Sequence, residues 1–265
     1  MGITVQSIAD IMETYAPAER AMAWDNVGLL VGHADAAVTK VLVALDVTAA
    51  VIAEAVQTGA TMIVTHHPVI FKGAMSVTDK TWLGRNLLRL VEQGIAVYSA
   101  HTNLDVSEDG TNDTLCARIG LENVQPLIYD EGVLAIGRHG FLTAPQALGD
   151  FAAHVKQALG LDALRVCGDE NGLVRHVAVC AGAGGSATYI KQVKAAGCDV
   201  YITADIGFHA AQDALADGLF LIDATHYASE APVVESIKRM LETALRGSGV
   251  TVAASKVNGQ VFMSL

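Results

Sequence analysis

Apolar residues along this chain fall into short runs separated by stretches of helical spacing, and the succession repeats. Val41 to Leu45, Met62 to Val64, Ile95 to Tyr98, Val177 to Cys180, Val200 to Ile202 and Leu219 to Asp223 are almost wholly apolar. They are too short for helices and read as strands covered on both faces. Helical stretches led by Thr48 and Ser186, and those ending at Gly59, Gly94, Gly197 and Gly218, lie between the runs. Glycine fits the left-handed position that closes a helix. Seven residues separate Gly59 from His66 and Gly94 from His101, and eight separate Gly197 from Asp205 and Gly218 from His226. Each unit therefore predicts a helix, a glycine stop, a buried strand and a polar side chain at the strand's carboxyl end. That is α/β architecture, with polar groups where open α/β sheets place their ligands.

The succession from Val41 to His101 can be laid over that from Val177 to His226. This predicts two similar α/β domains, residues 1–128 and 129–265, with the boundary in the Gly- and Pro-bearing stretch from Leu121 to Gly140. Low-complexity runs and charge blocks are absent from the sequence.

Composition narrows the class. With 265 residues, 52% hydrophobic and 17% charged, there is core enough for one large or two modest domains. Lys40, Asp46, Glu54, Lys191 and Lys194 interrupt the apolar stretches, so no membrane span is expected. The opening MGITVQSIADIMETYAPAER carries acids and no basic leader, and Gln6 departs from the myristoylation pattern, so a cytoplasmic protein is expected. A net charge of -11 argues against broad nucleic-acid binding. Cys116, Cys167, Cys180 and Cys198 lack metal-type spacing and read as reduced structural thiols.

The candidate chemistry lies at the strand ends. In Thr65-His66-His67-Pro68 the proline holds His67 extended and so fixes its direction. Asp105, four residues after His101, reads in isolation as an Asx-turn or cap. His226 and Glu230 are four apart, which on a helix puts both on one face, although Pro232 would equally leave them in the turn before a helix. Taken together, His66, His67, Asp105, His226 and Glu230 offer three imidazoles and two carboxylates without a thiolate. One tetrahedral ion needs four ligands, so five donors point to two divalent ions bridged by a carboxylate. Zn, Fe, Mn, Co and Ni all suit nitrogen and oxygen donors. His101 and His209 are candidates for orienting ligands or transferring protons. The Gly-rich run Cys180 to Ser186 reads as a tight turn or a weak phosphate cradle, since it lacks the full phosphate-loop spacing.

These motifs, His66-His67-Pro68, Ser99 to Asp105, Gly110 to Asp113, Asp205 to His209 and His226 to Glu230, with Trp24 to Gly32 near the start, resemble the Nif-three-like dinuclear-metal proteins, also labelled GTP cyclohydrolase I type 2 homologues. The resemblance spans nearly the whole chain. It implies two similar α/β domains in a toroidal homo-hexamer, with metal ligands at His66, His67, Asp105, His226 and Glu230. The label implies hydrolysis of a nucleotide or related small molecule, by ring opening of a purine triphosphate; the alternative is a non-catalytic metal-binding or partner-interaction protein. Many members carry an inserted domain between the halves, and this chain runs from Leu127 to Gly140 without it.

Overall fold

The computed structural model describes residues 2–130 and 134–263. Its first unit comprises Met1–Ser107 and Val233–Gly259, its second Glu108–Pro232 and Gln260–Leu265.

In the first unit, helix α1 (Val5–Tyr15) is followed by strand β1 (Gly28–Val31), β2 (Lys40–Ala44), α2 (Ala49–Thr58), β3 (Met62–Thr65), α3 (Trp82–Glu92), β4 (Ala96–Ser99) and the short α4 (Thr102–Val106). Thr48 caps α2, its hydroxyl accepting from the Val51 amide, and Gly59 closes it at φ 71. All four residues of β3 and of β4 are buried, as their unbroken apolar runs predict. Val51, Ile52 and Ala55 of α2 and Leu87 and Leu90 of α3 join Leu42, Ile63 and Val97 of the sheet in one core cluster.

In the second unit come α5 (Thr111–Ile119), β5 (Glu122–Asp130), β6 (Leu134–Ala147), α6 (Leu148–Ala158), β7 (Arg165–Cys167), β8 (Leu173–Val179), α7 (Ala187–Ala195), β9 (Val200–Thr203), α8 (Phe208–Ala216), β10 (Phe220–Asp223) and the short α9 (His226–Glu230). The sheet order is β5-β6-β8-β9-β10-β7, with β8, β9 and β10 parallel. Phe151 and Val155 of α6 pack with Val177, Val200 and Ile202 in its core.

The chain then returns to the first unit through α10 (Val233–Ala244) and β11 (Thr251–Ala254). Strand β11 pairs in parallel with β2, Thr251 opposite Lys40 through Ala254 opposite Val43, giving the order β1-β4-β3-β2-β11. Three adjacent parallel strands with helical crossovers, β2-β3-β4 and β8-β9-β10, thus recur in the two sheets. The predicted glycine stops are all left-handed, with φ between 63 and 75 at Gly59, Gly94, Gly197 and Gly218.

The division of the chain differs from the expected 1–128 and 129–265. Residues 108–128 belong to the second unit because β5 pairs with β6, from Glu122 opposite Phe141 to Asp130 opposite Leu134. The stretch read as a boundary is therefore largely a hairpin; residues 131–133 lie outside the described residues. Residues 233–259 belong to the first unit because α10 buries Val233, Ile237 and Leu241 and delivers β11 to the free edge of β2. Short apolar runs carry no mark of their partner strand, so neither pairing can be read from local pattern.

No disulfide links the four cysteines. Burial, with the charge of Asp199, pushes the Cys198 thiol up to about 12. Among the described residues no helix is long and apolar enough to cross a membrane.

A histidine pair ties β6 to β8: His139 Nδ1 lies 2.7 Å from His176 Nε2, and Phe141 stacks on His176 with centroids 4.4 Å apart. His176 Nδ1 meets the Gly197 carbonyl at 3.1 Å, so in the neutral pair His139 donates and His176 Nε2 accepts. Burial, and then the charge of His176, push His139 below its ordinary value of 6.5. The folded chain binds this proton less readily than the unfolded one, so its stabilisation is present above the unfolded value and lost as pH falls. The denaturation midpoint should therefore drop between about pH 7.5 and 5.5, and drop less in His139→Gln. An equal fall of the urea midpoint with pH in the two proteins would refute this contribution.

Candidate metal centre

In the first unit the ends of β2, β3 and β4 converge. The His67 amide donates to the Leu45 carbonyl at 2.9 Å, and the Thr65 hydroxyl donates to the His67 carbonyl at 2.9 Å. This fastens the turn after β3 to its neighbour. His66 is fully buried, and its Nδ1 lies 3.0 Å from the Ala100 carbonyl at the end of β4. His67 Nδ1 lies 2.8 Å from Asp46 Oδ1, just beyond β2. His101 Nδ1 lies 2.9 and 3.1 Å from the two oxygens of Asp25. Carbonyl and carboxylate oxygens only accept, so in each neutral ring the proton sits on Nδ1 and Nε2 keeps its lone pair. Ligand atoms of the three rings lie within 4.8 Å of one another.

Asp105 completes this group. It lies buried in α4, with Oδ1 3.6 Å from His66 Nε2. Asp105 lies inside α4, whose N-cap is His101 without a side-chain cap bond. Asn103 holds the turn instead, accepting from the His101 amide at 2.8 Å and donating to the Ala16 carbonyl at 2.6 Å.

The second unit carries a smaller set. His226 and Glu230 share the single short helix α9, with His226 Nε2 3.2 Å from Glu230 Oε2, and Pro232 falls just before α10. Their separation realises the one-face spacing. His226 Nδ1 is held 2.8 Å from Asp205 Oδ2, at the end of β9. Two left-handed residues that are not glycine flank this set, Asp205 at φ 54 and Thr225 at φ 61. Each such position costs about 1–3 kcal/mol, and a β-branched threonine there is the more unusual. The Thr225 hydroxyl accepts from the Ala228 amide, which steadies the start of α9.

Gly182 explains the glycine-rich run. At φ 67 it passes so close to α9 that an added Cβ would lie 2.0 Å from Glu230 Oε1. Three amides of this run are engaged within the fold: Ala181 donates to Asn112 Oδ1, Gly182 to Ser229 Oγ and Gly184 to the Gly182 carbonyl. The run is a tight turn pressed against Glu230 and His226. The Gly110 to Asp113 motif has a related task, since Asn112 also donates to the Ile136 carbonyl and Asp113 pairs with Arg138 Nε at 2.6 Å.

The donor set suits a divalent metal. Two ligands each about 2.1 Å from a tetrahedral ion stand about 3.4 Å apart, near the His66–Asp105 and His226–Glu230 separations of 3.6 and 3.2 Å. With Nδ1 protonated, each of these contacts brings a nitrogen lone pair towards a carboxylate oxygen. Two acceptors facing one another are stabilised by a cation or a proton between them.

Sequence reasoning missed Asp25 and Asp46 and did not pair Asp205 with a ring. Asp46 follows β2 as His66 follows β3, so the strand-end rule applied to β2 would have found it. Asp25 lies in irregular chain and gives no periodic signal. Burial pushes its carboxyl up, but the hydrogen bonds and charge of His101, with the donors of Thr102, outweigh burial and hold it well below the usual carboxylate range. His209 lies on α8, exposed beside the Phe208 ring.

Replacing Asp46 or Asp205 by Asn should weaken metal binding roughly 10- to 100-fold, the usual cost of losing a group that orients a ligating histidine. Calorimetric titration of metal into each variant tests this, with circular dichroism showing an intact fold. Gly182→Ala should weaken binding comparably by driving a methyl group into the Glu230 carboxylate.

A relative from Clostridium acetobutylicum, named GTP cyclohydrolase 1 type 2 homolog, is 34% identical over 253 residues, 94% of each chain. One of the same name from Streptomyces coelicolor is 38% identical, covering 87% of this chain and 83% of its own. The solved structure of a Bacillus cereus protein related to NIF3 superposes with a TM-score of 0.93 at 26% identity, covering 100% of this chain and 99% of that one. The model of the Duf34/NIF3 (NGG1p interacting factor 3) family matches residues 3–260, and the chain belongs to that family.

Proposed function

We propose that this protein is a metal-dependent hydrolase in which His66, His67 and Asp105 of the first unit act with His226 and Glu230 of the second to hold two divalent ions. The observation that carries the reading is the common fixing of four histidines: His66, His67, His101 and His226 each have Nδ1 against a carbonyl or carboxylate, which keeps Nε2 as the ligating atom. Such uniformity serves ligation rather than packing. Divalent ions there supply Lewis acidity, which polarises substrate oxygens and acidifies water near neutral pH.

The residues of the chain supply the remainder. Asp105 or Glu230 would bridge the ions, and both carboxylates are buried, which limits competition from bulk water. His101 adds a further nitrogen beside His66 and His67, and Asp25 fixes its ring. Proton transfer falls to His101 or to the more accessible His209. The substrate is a nucleotide or related small molecule, a reading that leans on the relatives' name, GTP cyclohydrolase 1 type 2 homolog. Ring opening of the purine and cleavage of a phosphoester both suit these donors. The working form is a cytoplasmic homo-hexamer, an assembly taken from the family resemblance.

Elemental analysis of the fully loaded protein should find two ions per chain, and one or fewer would count against the pair. Glu230→Ala should lose metal more severely than His209→Ala. Turnover of GTP or a simple phosphoester should require metal and vanish in His67→Ala and Glu230→Ala, while light scattering still finds a hexamer. If metal-loaded wild type exceeds those variants on neither substrate, the protein binds metal without catalysis.

A further inference from the structure

Trp24 and Phe71 are large aromatic side chains left 54% and 47% exposed, and both stand beside His101. Ring centroids are 5.9 Å apart for Trp24 and Phe71, 6.1 Å for Trp24 and His101, and 5.6 Å for Phe71 and His101. His101 in turn lies 5.0 Å from His66 and 5.5 Å from His67. An aromatic surface therefore runs unbroken from the histidine cluster out to solvent, all within the first unit.

The loop bearing Trp24 is fastened on both sides. Asp25 accepts from the Thr102 amide and from His101 Nδ1, the Met22 amide donates to the Thr102 hydroxyl, and Asn26 Nδ2 donates to the Ile70 carbonyl at 2.6 Å, next to Phe71. Hydrogen bonds thus hold two exposed rings in fixed relation to the donor cluster. An aromatic kept rigid and uncovered loses little entropy when it binds, which is what a recognition surface requires.

We infer that Trp24 and Phe71 form a stacking platform for a planar heteroaromatic ring, placing the ligand's reactive end at the histidine cluster. The two rings are too close together to admit a third between them, since that needs about 7 Å, twice a van der Waals contact. The ligand ring therefore lies against their exposed faces, with His101 at its edge. Stacking accepts any ring with a π-face, so the platform selects rings over sugars and phosphates. The inference rests on the metal-centre reading only for which end of the ligand reacts.

The chain has two tryptophans, so Trp82→Phe leaves Trp24 as the sole indole reporter. In metal-loaded protein of this background, guanosine, a ring without phosphate, should quench Trp24 fluorescence saturably, and ribose 5-phosphate should not. Phe71→Ala should weaken guanosine binding about five- to a hundred-fold, the range for loss of one stacking partner. By calorimetry Trp24→Ala should do the same with metal content unchanged. Absence of quenching, equal quenching by ribose 5-phosphate, undiminished affinity in both alanine variants, or dissociation of the assembly by Trp24→Ala would each overturn the platform, the last by making Trp24 a subunit contact. Failure of the hydrolase reading looks different: guanosine still binds through Trp24, but nothing is turned over.

Discussion

The hydrogen bond from a histidine Nδ1 to an oxygen fixed on the scaffold is the contact on which the donor group of each unit depends. A histidine side chain turns about two bonds and offers two nitrogens, so an unrestrained imidazole at a strand end is an imprecise ligand. Binding Nδ1 to Ala100, Asp46, Asp25 or Asp205 removes both freedoms together. Three of those four partners are carboxylates, which also make the ring a stronger donor to a cation. The resulting groups of carboxylates and lone pairs, one in each unit, are poor arrangements for a protein alone and good ones for a divalent ion.

The backbone makes that hydrogen bond reachable. Parallel strands in register end side by side, so Asp46 after β2 and His67 after β3 are brought together by the pairing of Ala44 with Thr65. The same relation holds in the second sheet, where Ile202 opposite Ile222 sets Asp205 beside His226. A one-residue slip in either pair would turn the side chains to the opposite face. Buried apolar residues on both faces of these strands forbid the slip, so core packing and ligand placement are specified by the same residues.

What could be read from the sequence follows this division. The glycine stops, the buried strands and the donors His66, His67, His226 and Glu230 announce themselves, because local period and spacing express strand ends and one helical turn. Asp25 does not, since its link to His101 crosses 76 residues of chain and leaves no periodic trace. The return of Val233–Gly259 to the first sheet escapes for a similar reason: Thr251 to Ala254 would suit any free parallel edge, and only the full set of competing edges selects β2. The hairpin from Glu122 to Ala147 was obscured by Pro126, Gly137 and Gly140, residues that usually mark a linker. Gly140 instead permits close approach, since a Cβ there would lie 2.8 Å from the Glu122 carbonyl.

Two of the five described residues that hold positive φ without being glycine, Asp205 and Thr225, lie beside His226 and Glu230. Asp205 and Thr225 hold left-handed backbone at about 1–3 kcal/mol each, against a total stability of about 5–15 kcal/mol for a typical domain. Gly182 avoids that penalty, but at its position any side chain would collide with Glu230. These features weaken the folded chain and improve no core contact, and what they share is the orientation of His226 and Glu230. A strained turn persists when the surrounding fold over-determines it, and here β9 is bonded on one side to the glycine run, Ala204 donating to the Gly182 carbonyl, and on the other to the end of β10, Ala224 donating to the Thr203 carbonyl. The same stiffness that holds the strain holds His226 and Glu230, so relaxing one would loosen the other.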